Sequence, residues 1–166
     1  LPQNYLFGTL PTGMVNGIAL KVPDCSYTLL LFEDGLFGFA NLMSKAVAHA
    51  FQFQKNVDDK VELSVSADEI ENKISSNPDL TFRFFDALAS YLVKGDPHFA
   101  EQYYPDSNYE PVVSCLRNSM EIFVLGHEYG HLICNHLSSK LKKTICIGDI
   151  EASIIPTAWE QEFEAD

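Results

Sequence analysis

The residues best placed to do chemistry lie in the stretch 123–136, F-V-L-G-H-E-Y-G-H-L-I-C-N-H. Within it, His127, Glu128 and His131 form an H-E-x-x-H motif. Residues four apart share one face of an α-helix, so the two imidazoles can be aimed at one point, as two zinc ligands must be. Glu128 stands beside them without being needed as a ligand. From there a carboxylate can take the proton of a metal-activated water. With 5 histidines in 166 residues, chance would produce this pattern in roughly one such chain in a hundred, so its surroundings must strengthen it.

A hydrolytic zinc site takes three protein ligands and keeps one position for water. The third ligand is expected in the final stretch 159–166, W-E-Q-E-F-E-A-D. If that stretch is helical, Glu162 and Asp166 share a face. Glu162 can then bind the metal while Asp166 holds the second ring nitrogen of a ligand histidine. Position alone does not favour Glu162 over Glu160, Glu164 or Glu151.

The pairing of G-H-E-Y-G-H (126–131) with E-F-E-A-D (162–166) resembles the gluzincin metallopeptidases. The likeness is closest to the prenyl-protease and HtpX-like group and to the ImmA/IrrE-type peptidases. The resemblance covers residues 120–166. It implies a zincin-like fold, Zn2+ held by His127, His131 and Glu162, Glu128 as general base, and Asp166 as the acidic residue supporting the site. His136 also matches a histidine frequent in the first group. The prenyl-protease and HtpX-like relatives have membrane spans and none is visible here, so a soluble branch is expected.

These residues need elements to hold them. Residues 112–125 carry only Arg117 and Glu121 as charges, which predicts a helix buried on most sides and running into the motif, with Pro111 in its first turn. Gly126 and Gly130 each cost such a helix about 1 kcal/mol against Ala, which close packing of a neighbour or a bound substrate would offset. His136 lies about 2.5 turns beyond His127 on a continuous helix, hence on its far side, and is not expected to be a ligand.

Ahead of this helix, residues 1–16 read as irregular, being rich in Pro, Gly and Asn. Runs at 17–22 and 27–32 flank the turn Pro23-Asp24-Cys25-Ser26, and Glu33-Asp34-Gly35 precedes a third run at 36–39. Together they predict a small antiparallel sheet of two or three strands over 17–40. A sheet edge beside an active-site helix either receives extended substrate by strand addition or only caps the core.

Helices are expected across 41–94. The first covers 41–54, with Leu42, Ala46, Val47, Ala50 and Phe53 on one face and His49 at its boundary. A polar break and a short strand at 61–65 follow. A helix then starts at the capping box Ser66-Ala67-Asp68-Glu69 and runs to Ile74, and another covers 79–93 and ends at Gly95-Asp96-Pro97. Tyr103, Tyr104 and Tyr109 can anchor a surface loop, or lend a hydroxyl to a reacting carbonyl if that loop meets the cleft. Beyond the active-site helix (111–138) come a short strand at 145–147, a turn at Gly148-Asp149, and a lead of 150–158 into the third-ligand helix, 159–166. The expectation is therefore one mainly helical α+β domain, zincin-like, over 1–166.

A net charge of −12 and pI near 4.7 argue against nucleic-acid binding and against docking on anionic membranes. No apolar run is long enough to span a bilayer. Cys25, Cys115, Cys134 and Cys146 are widely spaced without a C-x-x-C, as expected of buried free thiols in the cytoplasm. No signal peptide is recognisable. The chain opens on Leu1 and stops at Asp166 within an expected helix, which predicts a trimmed or processed piece of a longer polypeptide.

The function expected is a zinc-dependent metallopeptidase acting on a protein or peptide substrate. A second class of function also fits: a non-catalytic regulatory or partner-binding protein, of the toxin–antitoxin or phage-defence kind, with a structural or vestigial zinc. A fourth protein ligand such as His136 or Asp149 would favour that class. The complete H-E-x-x-H favours the enzyme, because a structural site has no use for the central glutamate.

Overall fold

The computed structural model describes residues 4–24, 26–55, 61–138, 143–147, 150–154 and 159–166. Its N-terminal sheet has three strands, β1 (Asn4–Leu10), β2 (Gly17–Lys21) and β3 (Tyr27–Glu33), in the order β1-β3-β2. The β2–β3 hairpin is antiparallel, as expected, with Gly17 opposite Phe32. β1 was expected to be irregular. It instead pairs in parallel with β3, from Asn4 opposite Tyr27 to Leu10 opposite Glu33, so the sheet is mixed. Its residues Tyr5, Leu6 and Phe7 are good strand formers, and flanking β3 on both sides leaves Leu30 with no exposure at all.

The third expected strand, 36–39, is helical. β3 passes directly into α1 (Asp34–Ala50), whose N-cap is Glu33. Asp34 accepts the Gly13 backbone N–H at 2.7 Å, tying loop 11–16 to the start of the helix. Gly35 is obligatory there, since a Cβ would lie 2.0 Å from the Gly13 carbonyl oxygen. The helix ends at Ala50, short of the expected Gln54, because Phe51 turns extended and Gln52–Lys55 becomes β4, antiparallel to β5 (Val61–Ser64).

Helix α2 (Ala67–Ser76) starts where the capping box predicts, but the Ser66 side chain makes no capping bond. Glu69 is engaged by Gln54 Nε2 at 2.7 and 2.8 Å, a contact between elements that replaces the local one. Helix α3 (Pro78–Lys94) ends on Gly95 in the left-handed region at φ 76°.

Helix α4 (Glu110–Ile133) carries the motif, with Pro111 in its first turn. α1 packs between α3 and α4. The main core joins Leu30 and Phe32 of β3, Leu36 of α1 and Leu132 of α4, and a second cluster joins Leu42, Ala87 and Ala100. The expectation that α4 is buried on most sides fails. Its buried residues are Val113, His131 and Leu132, whereas Ile122 and Phe123 are 67% and 61% exposed. Helix α1, strand β2 and the C-terminal helical segment Trp159–Ala165 cover only part of its circumference.

After α4 come β6 (Lys143–Ile147) and β7 (Ile150–Ile154), an antiparallel pair of which β7 was not anticipated, then α5 (Trp159–Ala165). The expected turn at Gly148-Asp149 lies outside the described residues. The architecture is α+β and mainly helical with a small N-terminal sheet. Among the described residues no helix is long and apolar enough to cross a membrane.

Candidate metal centre

The site forms where α5 lies across the last two turns of α4. Gly130 permits the approach: a Cβ there would sit 2.3 Å from the Ala165 carbonyl oxygen and 2.9 Å from its Cα. The packing cost expected of this glycine is thus met by a neighbouring backbone. Gly126 has nothing within 4 Å of the equivalent position and plays no such part.

With α5 so seated, Glu162 faces both motif histidines. His127 Nε2 lies 3.0 Å from Glu162 Oε2 and 3.2 Å from His131 Nε2, and His131 Nε2 lies 3.5 Å from Glu162 Oε2. These three atoms form a nearly equilateral triangle. Ligands about 2.0–2.1 Å from a tetrahedral zinc are separated by about 3.3–3.4 Å, so the triangle has the dimensions of three corners of such a site. The donor set, two imidazole nitrogens and one carboxylate oxygen, suits zinc as well.

The other nitrogen of each ring is already engaged. His127 Nδ1 lies 2.7 Å from Asp166 Oδ1, and His131 Nδ1 lies 2.9 Å from His136 Nδ1. A ring whose Nδ1–H is donated away presents a lone pair at Nε2, the atom aimed at the centre of the triangle. Phe123, one turn earlier, stacks on the outer face of His127 with centroids 6.4 Å apart.

Charge follows the same plan. Burial opposes protonation of His127, but hydrogen bonds to Asp166 and Glu162 outweigh it and raise its pKa. Burial lowers the pKa of His131, and the neighbouring His127 and His136 add to this against the pull of Glu162. The acidic neighbours thus favour a charged His127, whereas His131 is biased towards the neutral ring; a metal on His127 Nε2 would have to displace a proton. Burial raises the pKa of Glu128, reinforced by Glu162 and opposed by His127. That carboxylate is covered by β2: a Cβ on Gly17 would come within 2.9 Å of Glu128 Cγ and 3.0 Å of its Oε1.

Sequence reasoning thus places His127, Glu128, His131, Glu162 and Asp166 in one corner of the fold, and the structure brings all five there. Among the acidic alternatives, Glu164 turns to His136 instead, at 3.1 Å. The side chains of Glu151, on β7, and of Glu160, on α5, are not described, and Asp149 lies outside the described residues.

His136 is the residue misplaced by the sequence argument. Rotation to the far side assumed a continuous helix, but α4 stops at Ile133. Asn135 adopts the left-handed conformation at φ 59°, and a short 3-10 turn, His136–Ser138, folds the ring back against His131. The signal available in the sequence was Asn135, the commonest left-handed residue after glycine. Cys115 is exposed and Cys134 only half-buried, both free thiols, so the expectation of buried cysteines fails for these two. Tyr109, at the N-terminal cap of α4, is about 27 Å of helix from His127, and no loop tyrosine reaches the site. No family profile, curated protein or solved structure matches the chain.

Proposed function

We propose that the chain is a zinc-dependent peptidase of gluzincin type, zincin-like in fold, with His127, His131 and Glu162 as the metal ligands. The observation that carries this reading is the triangle of Nε2, Nε2 and Oε2 atoms, 3.0–3.5 Å on a side, with both Nδ1 atoms held from behind. When bound, zinc supplies Lewis acidity, lowering the pKa of a coordinated water to about 7 and polarising a carbonyl.

The remaining work falls to the protein. Asp166 fixes the tautomer of His127. Glu128, whose pKa burial raises, accepts the proton of the attacking water and returns it to the departing amine. Gly17 leaves Glu128 room under β2. A groove of about 480 Å³ between β1, α1 and α4, lined by Phe7, Phe32, Leu36, Phe37, Ile122 and Leu125, suits apolar side chains of a protein or peptide substrate. Free thiols at Cys115 and Cys134 fit a reducing, cytoplasmic setting.

The test pairs zinc analysis with cleavage of a peptide library read by mass spectrometry. Glu128→Gln is expected to retain zinc and lose about 10²–10⁴-fold in turnover. Equal cleavage by parent and variant would refute the mechanism. The exposed apolar residues Ile122 and Phe123 also favour a second reading, a regulatory or partner-binding protein with a non-catalytic metal. That reading gains if zinc binds and no peptide in the library is cut.

A further inference from the structure

We propose that His136 and Glu164 are positioning residues for the metal centre, a relay that dictates which nitrogen of His131 carries the proton. The inference rests on the ligand assignment above and extends it to two residues outside the motif. Three side chains stand in a row: Glu164 Oε2 is 3.1 Å from His136 Nε2, and His136 Nδ1 is 2.9 Å from His131 Nδ1. The far nitrogen of His131 is the one in the ligand triangle.

Proton counting makes the row directional. An ionised Glu164 only accepts, so in the neutral form of His136 the ring proton sits on Nε2. Its Nδ1 is then an acceptor, and the proton between the two rings belongs to His131. His131 is left with a bare Nε2, the form that ligates metal. Burial explains why a histidine stands between: His131 and His136 are only 5% and 4% exposed, where an ionised carboxylate is costly. The neutral ring carries the influence out to Glu164, whose side chain is 65% exposed and solvated. His127, nearer the surface, receives Asp166 directly.

The same count decides a competing use of these residues. Cys134, His136 and Glu164 could themselves gather around a cation, their ligand atoms lying within 4.8 Å of one another. A cation on His136 Nε2 would move that ring's proton to Nδ1, and His131 would have to accept there and carry its own proton on Nε2. That closes the first centre. With neutral rings the two sites exclude each other.

The experiment measures zinc affinity of the full chain by competition with a chromophoric chelator, together with histidine tautomers by 15N NMR of the zinc-loaded protein. His136→Phe, which keeps a ring and removes both nitrogens, should weaken zinc roughly ten- to hundredfold. His136→Asn sets an amide oxygen near the place of Nδ1 and should recover most of that loss, and Glu164→Gln should show a smaller one. The parent spectrum should show Nδ1–H on His131 and Nε2–H on His136.

Unchanged affinity in His136→Phe, with zinc still lost in Glu162→Ala, would overturn the relay and leave the peptidase reading intact. So would Nε2–H on His131, a result that does not depend on any variant folding. Binding of two ions per chain, with a thiolate charge-transfer band on Co2+ substitution, would show that Cys134 and His136 hold their own metal. A parent chain that binds no zinc would overturn both readings.

Discussion

Helix α4 touches histidines near both of its ends, and the two settings differ in kind. Near its start, His49 of α1 packs between the rings of Tyr109 and Tyr103, centroids 4.5 and 5.9 Å away. Its Nε2 is buried with no hydrogen-bond partner among the described residues. Cations gather around this cage: Lys73 Nζ bonds Tyr109 Oη at 2.7 Å, and the Arg83 guanidinium lies 4.0 Å from the Tyr103 ring centroid. Burial lowers the pKa of His49, and Lys73 lowers it further. Near the other end, His127, His131 and His136 stand among Glu162, Glu164 and Asp166, and their described ring nitrogens all have partners. One setting repels a further positive charge and uses histidine as an aromatic packing piece. In the other, acidic side chains and ring nitrogens converge on one point. The neighbours' charge and the convergence of lone pairs, more than burial, separate a structural histidine from a ligand.

The sharpest test of this contrast is metal retention. Glu162→Ala and His131→Ala should each lose zinc at least tenfold by equilibrium competition, while His49→Phe should keep the parent affinity. Zinc loss in His49→Phe would break the comparison. A chelator should lower the melting temperature of the parent and leave that of Glu162→Ala almost unmoved, because a ligand stabilises only the state that binds it.

Next in size is a glycine pair on α4. Gly130→Ala drives a methyl into the Ala165 backbone, so α5 must shift, and both zinc affinity and thermal stability should fall. Gly126→Ala meets nothing within 4 Å and should stabilise the helix by about 1 kcal/mol, worth about 2–4 °C in melting temperature. Equal responses at the two positions would mean that α5 does not rest on Gly130.

The smallest effects belong to the aromatic cage. His49→Phe should change unfolding free energy by less than about 1 kcal/mol in urea, since the ring is kept and an unpaired nitrogen removed. Burial pushes the Tyr103 hydroxyl up to about 12, eased by Arg83. Because its folded pKa lies above the ordinary tyrosine value of 10.0, its contribution is complete below pH 10 and lost as pH rises towards 12. Tyr103→Phe should therefore flatten the alkaline limb of the stability curve. An unchanged limb would show that Tyr103 ionises as it does in the unfolded chain.

Much of the site was legible because its parts are local. His127, Glu128 and His131 need only a helix, whereas helical spacing alone left Glu162 level with Glu160, Glu164 and Glu151, and only the gluzincin resemblance singled it out. The helices 67–76 and 78–94 were likewise announced by Ser66, Pro78 and Gly95. The errors fall where a distant partner overrode local preference. Residues 4–10 become strand because β3 offers a parallel edge, and Gln52–Lys55 leaves its helix because β5 offers another. Residues 36–39 read equally as strand or helix in so short an apolar run, and the anchoring of Asp34 by Gly13 sets them on the helix. His136 was misplaced by a single left-handed residue, Asn135.

The sequence by itself determined the chemistry on offer: two imidazoles four residues apart, a carboxylate between them, and an acidic final stretch, all read from helical periodicity and residue type. Only the tertiary structure decided which acid joins them and which histidine stands behind. Both choices depend on the angle at which α5 crosses Gly130 and on the reversal at Asn135. The first is set by contact between segments about 35 residues apart, whose geometry the spacing of residues along the chain does not encode; the second turns on one residue leaving the helical conformation.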